Sequence, residues 1–177
     1  MRAYIGLGAN LGDAAARVTQ ALADLAALPG VTLRQASSLY RSAPLQADGP
    51  DFVNAVACVD TTLTPLELLA ALQRLESAAG RERPYRNAPR TLDLDLLYAD
   101  DAGGPIACAT PTLTLPHPRW HERAFVLAPW AEIAGDLSVA PHGSLHALLA
   151  RHADQRIQRI AAAPPTDPTL PPTPQSP

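Results

Sequence analysis

The stretch of residues 90–98, Arg-Thr-Leu-Asp-Leu-Asp-Leu-Leu-Tyr, constrains the fold of this chain more than any other. Leucine alternates with a polar residue, and a period of two is the signature of a β-strand. Leu92, Leu94 and Leu96 are expected on a buried face, with Thr91, Asp93 and Asp95 on the opposite one. Side chains two apart on a strand stand roughly 6.5–7 Å apart at the backbone. Two carboxylates at that spacing repel each other unless water or cations lie between them. Hard oxygen donors with room for water suit Mg²⁺, which commonly arrives with phosphates. A solvated acidic face is the simpler account of an isolated Asp-x-Asp, so the pair acquires meaning only from its neighbours.

The remaining patterns supply the order of elements. Residues 3–9 read as a first strand running into a turn with Gly6, Gly8 and Gly12. The third glycine falls one place late for a dinucleotide-binding G-x-G-x-x-G, and no acidic residue closes the next strand. A tight strand-to-helix turn is therefore expected, with Asp13 capping a helix whose apolar stripe is Val18, Leu22, Leu25 and Leu28. Residues 31–41 and 52–61 read as the second and third strands. Thr64-Pro65 opens a second helix with Leu66, Leu69, Leu72 and Leu75 as its stripe, ending at Gly80. The strand at 90–98 is the fourth. The order β-α-β-β-α-β predicts an α+β fold of ferredoxin-like type, an antiparallel sheet with helices. Short helices at 125–133 and 145–151 form a C-terminal extension. Residues 1–160 are expected to be a single domain, and 161–177, dominated by Pro, Thr and Ala, a disordered tail.

All fourteen basic residues are arginine. A chain without lysine has no P-loop lysine, no kinase-type lysine and no Schiff base. Phosphate handling falls to arginine, histidine, backbone amides or metal. The net charge of −3 argues against a general nucleic-acid partner. No apolar run approaches the roughly 20 residues that span a bilayer, so no membrane partner is expected. Met1 to Ala9 does not read as a secretory leader. Cys58 and Cys108 have neither metal-type spacing nor the density of a disulfide framework, so a reducing cytoplasm is expected.

Three constellations could carry chemistry. Arg81, Arg83, Arg86 and Arg90 gather four arginines within ten residues, directly before the acidic strand. Guanidinium forks match phosphate oxygens bidentately, although a basic loop could also simply neutralise Asp93 and Asp95. His117, Arg119, His121 and Arg123 follow downstream. His117 and His121 have zinc-like spacing, but Pro118 lies between them and no Glu follows the first; no zinc site is read there, or at His142 and His146. Ser42-Ala-Pro-Leu and Asp51-Phe-Val-Asn could hold a flat heterocycle, with the ring stacking on Phe52 and Asn54 reading its edge. Spacing alone favours Phe52 as ordinary core.

Together these residues resemble the 6-hydroxymethyl-7,8-dihydropterin pyrophosphokinases of folate biosynthesis. The resemblance spans nearly all of residues 3–160. It is carried by Tyr4-Ile-Gly-Leu-Gly-Ala-Asn-Leu-Gly, Tyr40-Arg-Ser, Pro44-Leu, Asp51-Phe-Val-Asn, Gln73-x-x-Glu76, Gly80-Arg-x-Arg, Ala88-Pro-Arg-Thr-Leu-Asp-Leu-Asp, Leu115-Pro-His-Pro and Arg123-Ala-Phe-Val-Leu-x-Pro. It implies transfer of the terminal diphosphate of ATP, the co-substrate, to the pterin hydroxymethyl oxygen with release of AMP. By the same resemblance Asp93 and Asp95 hold two Mg²⁺ ions, and Arg81, Arg83 and Arg90 clamp phosphates. His117 and Arg123 also touch the nucleotide phosphates, and Gln73, Glu76, Leu96 and Thr114 belong to the nucleotide site. The pterin stacks between Phe52 and Phe125, with Ser42, Pro44, Leu45 and Asn54 around its edge. A monomer is expected. The chain departs from the family's common pattern at Asn87, where an aromatic is usual, at Phe52 and Pro118, where tyrosine is usual, and at Ala43, where proline is usual.

An RNA-binding module is the competing class, since RNA-recognition domains share the β-α-β-β-α-β order. Such domains are often basic and expose aromatics on the sheet, whereas the fourth strand here exposes aspartates. A catalytically dead paralogue is the other alternative, and the retained acids and arginines argue against it.

Overall fold

The computed structural model describes residues 1–45, 49–80 and 91–162. β1 (Arg2–Ala9) is followed by α1 (Ala14–Ala26), β2 (Val31–Ala36), β3 (Leu39–Ser42), β4 (Phe52–Thr61), α2 (Pro65–Ala78) and β5 (Asp93–Asp101). The short strands β6 (Gly104–Pro105), β7 (Cys108–Ala109) and β8 (Thr114–Leu115) lead through a 3₁₀ turn (Trp120–Glu122) to α3 (Ala124–Ala134). The hairpin β9 (Ser138–Val139) and β10 (Gly143–Ser144), then α4 (Leu145–Arg151) and β11 (Ile157–Ala161), complete the described chain. The main sheet runs β11-β3-β4-β1-β5-β6, with β2 also on β4, and all its pairings are antiparallel. Among the described residues no helix is long and apolar enough to cross a membrane.

Local chemistry accounts for where the first helices begin. The Asp13 carboxylate accepts the Ala16 N–H at 3.0 Å and caps α1. Thr64 and Glu67 form a reciprocal capping box at α2, with Pro65 in the first turn. α1 buries Val18, Ala21, Leu22 and Leu25. The stripe of α2 is rotated from the expected one: Leu72 is buried as expected and Leu69 and Leu75 are half-buried, but Leu66 is 47% exposed, and Leu68, Ala71 and Glu76 are buried as well. A stripe counted at every third residue drifts around a helix of 3.6 residues per turn. Burial follows the true period, and it carries Glu76 inward.

The sheet has a hydrophobic core on each face. Ala3, Ile5 and Leu7 of β1, Val53, Ala55 and Ala57 of β4, and Leu92, Leu94 and Leu96 pack with α1 and α2. The opposite face packs Tyr4, Val56, Cys58, Leu97 and Tyr98 against α3 and α4. Trp130 of α3 is the centre of this second core, with ring centroids 5.4 Å from Tyr4, 6.0 Å from Tyr98 and 5.3 Å from Trp120. The acidic strand thus has no uniformly wet face; α3 and its neighbours cover part of it.

Two expectations are corrected by side-chain bonding and edge pairing. Residues 31–41 do not form one strand but divide at the buried Ser37 and Ser38. Ser37 Oγ accepts the Val56 N–H at 2.9 Å, so a side chain carries the ladder across the break. Ser38 donates to the Glu132 carboxylate from both its N–H (2.9 Å) and its hydroxyl (2.6 Å), which ties α3 to the sheet. Ala161, assigned to the tail, closes β11, which pairs with β3 and covers that edge. The rest of the expected tail, from residue 163 onward, lies outside the described residues.

Candidate functional site

The antiparallel register sets three rows across the middle of the sheet. Asn54, Gly8 and Asp93 are in register across β4, β1 and β5; Val56, Gly6 and Asp95 form the next row, and Cys58, Tyr4 and Tyr98 another. The β5 register shifts opposite Tyr4 and Ile5, and Leu97 and Tyr98 both join the second core. α3 covers the tyrosine end of this face. At the other end the central strand offers only glycine, so the face hollows into a cleft of about 130 Å³. Gly6, Gly8, Ser42, Leu45, Phe52, Asn54, Asp93, Asp95, Arg123 and Phe125 all line it.

One wall is an oriented amide. Asn54 is 4% exposed, and its Nδ2 donates to Ser42 Oγ at 3.0 Å, with the Tyr40 carbonyl at 3.5 Å. Because a carbonyl only accepts, the amino end faces Tyr40, and Oδ1 faces the glycine side as an acceptor. Phe52 and Phe125 add apolar ring surface. The Arg123 guanidinium lies 5.6 Å from the Phe125 ring centre, and its Nη1 is 3.8 Å from Asp95 Oδ2. Arginine, aromatic and carboxylate therefore meet at one side of the cleft.

A second cleft, of about 340 Å³, adjoins the first. Gln73, Glu76, Asp95, Leu96, Thr114 and His117 line it, and Asp95 borders both clefts. Glu76, 2% exposed, accepts the Leu94 N–H at 2.7 Å, between the two aspartates in sequence. On the same strand the Leu97 carbonyl accepts the His117 N–H at 2.8 Å. Burial holds the His117 imidazole below the usual histidine range, against the opposing pull of Asp95. Its Nδ1 accepts the Arg119 N–H at 3.2 Å, which leaves the neutral ring's proton on Nε2 as a donor.

Not every expected residue arrives at the clefts. Pro44 is not among the residues lining either one, whereas the adjacent Ala43 lines the first. Arg81, Arg83, Arg86, Asn87 and Arg90 lie outside the described residues. Gly6, Gly8 and Leu97 were missed as site residues; the available signal was glycine at alternate positions of a strand. His121 stacks on His142 with ring centroids 3.7 Å apart, and His146 pairs with Asp136 at 3.1 Å. Among the described residues no three of His, Cys, Asp and Glu gather into a metal-binding group. Asp93 and Asp95 do fit a hydrated hard cation: both are half-buried carboxylates that face an open cleft, and phosphates and water can complete the shell.

One cleft with two aromatic rings and an oriented amide and a second, adjoining cleft share Asp95 on their border, an arrangement with room for two small molecules side by side. Residues 4–135 match the family described as 7,8-dihydro-6-hydroxymethylpterin-pyrophosphokinase (HPPK), and the chain belongs to this family. It is similar to the 2-amino-4-hydroxy-6-hydroxymethyldihydropteridine pyrophosphokinase of Pseudomonas aeruginosa, 43% identical over 163 residues, covering 92% of this chain and 98% of that one. The protein of the same description from Haemophilus influenzae is 41% identical over 160 residues, covering 89% and 97%. Among solved structures, an HPPK-DHPS in complex with substrates superposes with a TM-score of 0.66. At 10% identity that likeness concerns the fold alone; it covers 86% of this chain and 43% of the other.

Proposed function

We propose that this chain transfers the terminal diphosphate of ATP to the hydroxymethyl oxygen of 6-hydroxymethyl-7,8-dihydropterin and releases AMP, a step of folate biosynthesis. The observation that carries the reading is that Asp95 borders both clefts, one holding Phe52, Phe125 and Asn54 and the other Gln73, Glu76 and His117. A diphosphate held at that border lies between the two substrates. The pterin ring takes the first cleft between Phe52 and Phe125, and its N–H edge donates to Asn54 Oδ1. Ser42 and Leu45 shape that end. ATP takes the second cleft, with Gln73, Leu96 and Thr114 around the nucleoside and the His117 Nε2–H directed to phosphate. Arg81, Arg83 and Arg90, with Arg123, supply further cations to the phosphates.

Asp93 and Asp95 would hold two Mg²⁺ ions, which supply charge neutralisation to the triphosphate. The new bond joins the hydroxymethyl oxygen to the β-phosphorus of ATP; the bond from that phosphorus to the α–β bridging oxygen breaks, and AMP leaves with that oxygen. The hydroxyl proton passes to solvent. Among the described residues no side chain of the first cleft besides the cation-holding Asp93 and Asp95 stands out as a general base, so holding the oxygens in line and matching charge carry most of the rate. The β5-β1-β4 core with β2 and β3 fits a ferredoxin-like sheet, and α3, α4 and β11 form its C-terminal extension. Residues 1–160 act as one domain and as a monomer. A reducing cytoplasm suits Cys58 and Cys108, both free.

Incubation with ATP, Mg²⁺ and 6-hydroxymethyl-7,8-dihydropterin tests the reading. AMP and the pterin diphosphate are the expected products in equal amounts. ADP as the nucleotide product, or no turnover, overturns it.

A further inference from the structure

Gly6 and Gly8 occupy the interior of β1, where glycine loses the most backbone freedom and packs nothing. Neither has a positive φ, so the backbone does not demand glycine at either place. Space separates the two. A Cβ added at Gly6 would meet the flexible Leu97 side chain first, at 3.4 Å. A Cβ added at Gly8 would lie 3.3 Å from Asn54 Oδ1, the acceptor that faces the cleft. That amide cannot swing away freely, because Nδ2 is held by Ser42 Oγ at 3.0 Å. On its other side Gly8 is in register with Asp93. Gly8 therefore stands between the group that reads a ring edge and the carboxylates at the phosphate end.

We propose that Gly8 is a specificity-determining residue: its missing side chain gives a planar heterocycle the depth to bring an N–H edge onto Asn54 Oδ1 while its substituent reaches the Asp93 side. The inference rests on the pterin reading above and deepens it. A methyl group at position 8 displaces the amide oxygen or lifts the ring by a few tenths of an ångström. Either movement lengthens the recognition hydrogen bond and leaves the nucleotide cleft untouched.

The test measures binding of 6-hydroxymethyl-7,8-dihydropterin, and separately of ATP with Mg²⁺, to the full chain and to its Gly8→Ala and Gly6→Ala variants. Gly8→Ala is expected to weaken pterin binding about tenfold, the loss of one buried hydrogen bond, with ATP affinity within about twofold of the parent. Gly6→Ala is expected to weaken pterin binding clearly less. Pterin affinity unchanged in Gly8→Ala, an equal loss for ATP, an equal loss in Gly6→Ala, or a Gly8→Ala chain that does not fold would each overturn the proposal. The last outcome counts because it assigns the glycine to the strand rather than to the cleft. A parent chain that neither binds the pterin nor forms AMP brings down the functional reading itself, a result distinct from all of these.

Discussion

Asp95 is the residue on which the two clefts converge, and its neighbours explain why it can serve both. Leu94 and Leu96 on either side are buried against the α1–α2 layer, so the strand is anchored and the carboxylate projects from a rigid base. Arg123 approaches it at 3.8 Å, a loose pair that a phosphate or a cation can enter. On the proposed reading, removing the carboxylate removes a cation ligand, and Asp95 belongs to neither core. Asp95→Ala is expected to lower kcat by at least about a hundredfold. Its Tm should stay close to the parent's, and steady-state kinetics with a thermal melt check both. Retained turnover would move the cation site elsewhere.

At the scale of elements, α2 and β5 are joined by a contact with functional weight. The Glu76 carboxylate bonds the Leu94 N–H on the strand that presents Asp93 and Asp95. Glu76 lines the second cleft, and on the proposed reading its bond to Leu94 makes it a positioning residue for the acidic pair. Glu76→Ala leaves a buried N–H without that acceptor, at an expected cost of about 1–3 kcal/mol. The ATP KM should rise with it. Glu76→Gln keeps an acceptor oxygen and should recover most of the stability. Urea unfolding of both variants, with ATP titrations, distinguishes this role from simple loss of a charge. The family resemblance is what put Glu76 with Gln73 at an expected nucleotide site, and both line the second cleft. The bond of Glu76 to Leu94 was not legible in the sequence, because it depends on how α2 rotates onto the sheet.

For the molecule as a whole, the second core makes stability depend on pH. Burial, and then the stacked His142 ring, lowers the pKa of His121 below its ordinary value, with Glu122 opposing. His121 Nδ1 is buried without a hydrogen-bond partner among the described residues. Burial moves His117 the same way. The sign follows directly: below the ordinary pKa of about 6.5 the unfolded chain binds protons that the folded chain resists, so stability is lost as pH falls. Tm should fall between about pH 7 and pH 5, and His121→Phe, which keeps a ring but cannot titrate, should flatten that slope. A parallel slope in parent and variant would show that other groups dominate. The turn of Trp120–Glu122 lies between His117 and Arg123 in the chain.

Some features of this protein are determined by its sequence alone, because they depend on residues close together in the chain. The alternation of leucine and aspartate, the Asp13 and Thr64 caps, and the alternation of strands and helices through β5, apart from the break between β2 and β3, all follow from local periodicity and turn chemistry. So do the residue types that phosphate and a flat ring require. The tertiary structure decided what depends on register and on layers. Asn54, Gly8 and Asp93 are distant in sequence and meet only because three strands align in one register. α3 covers one end of that face and leaves the other open, so neighbouring rows of a single sheet become core and cleft. The burial of Glu76, the division at Ser37 and Ser38, and the pairing of β11 with β3 have the same cause. Each is fixed by partners far along the chain, for which no local pattern carries a signal.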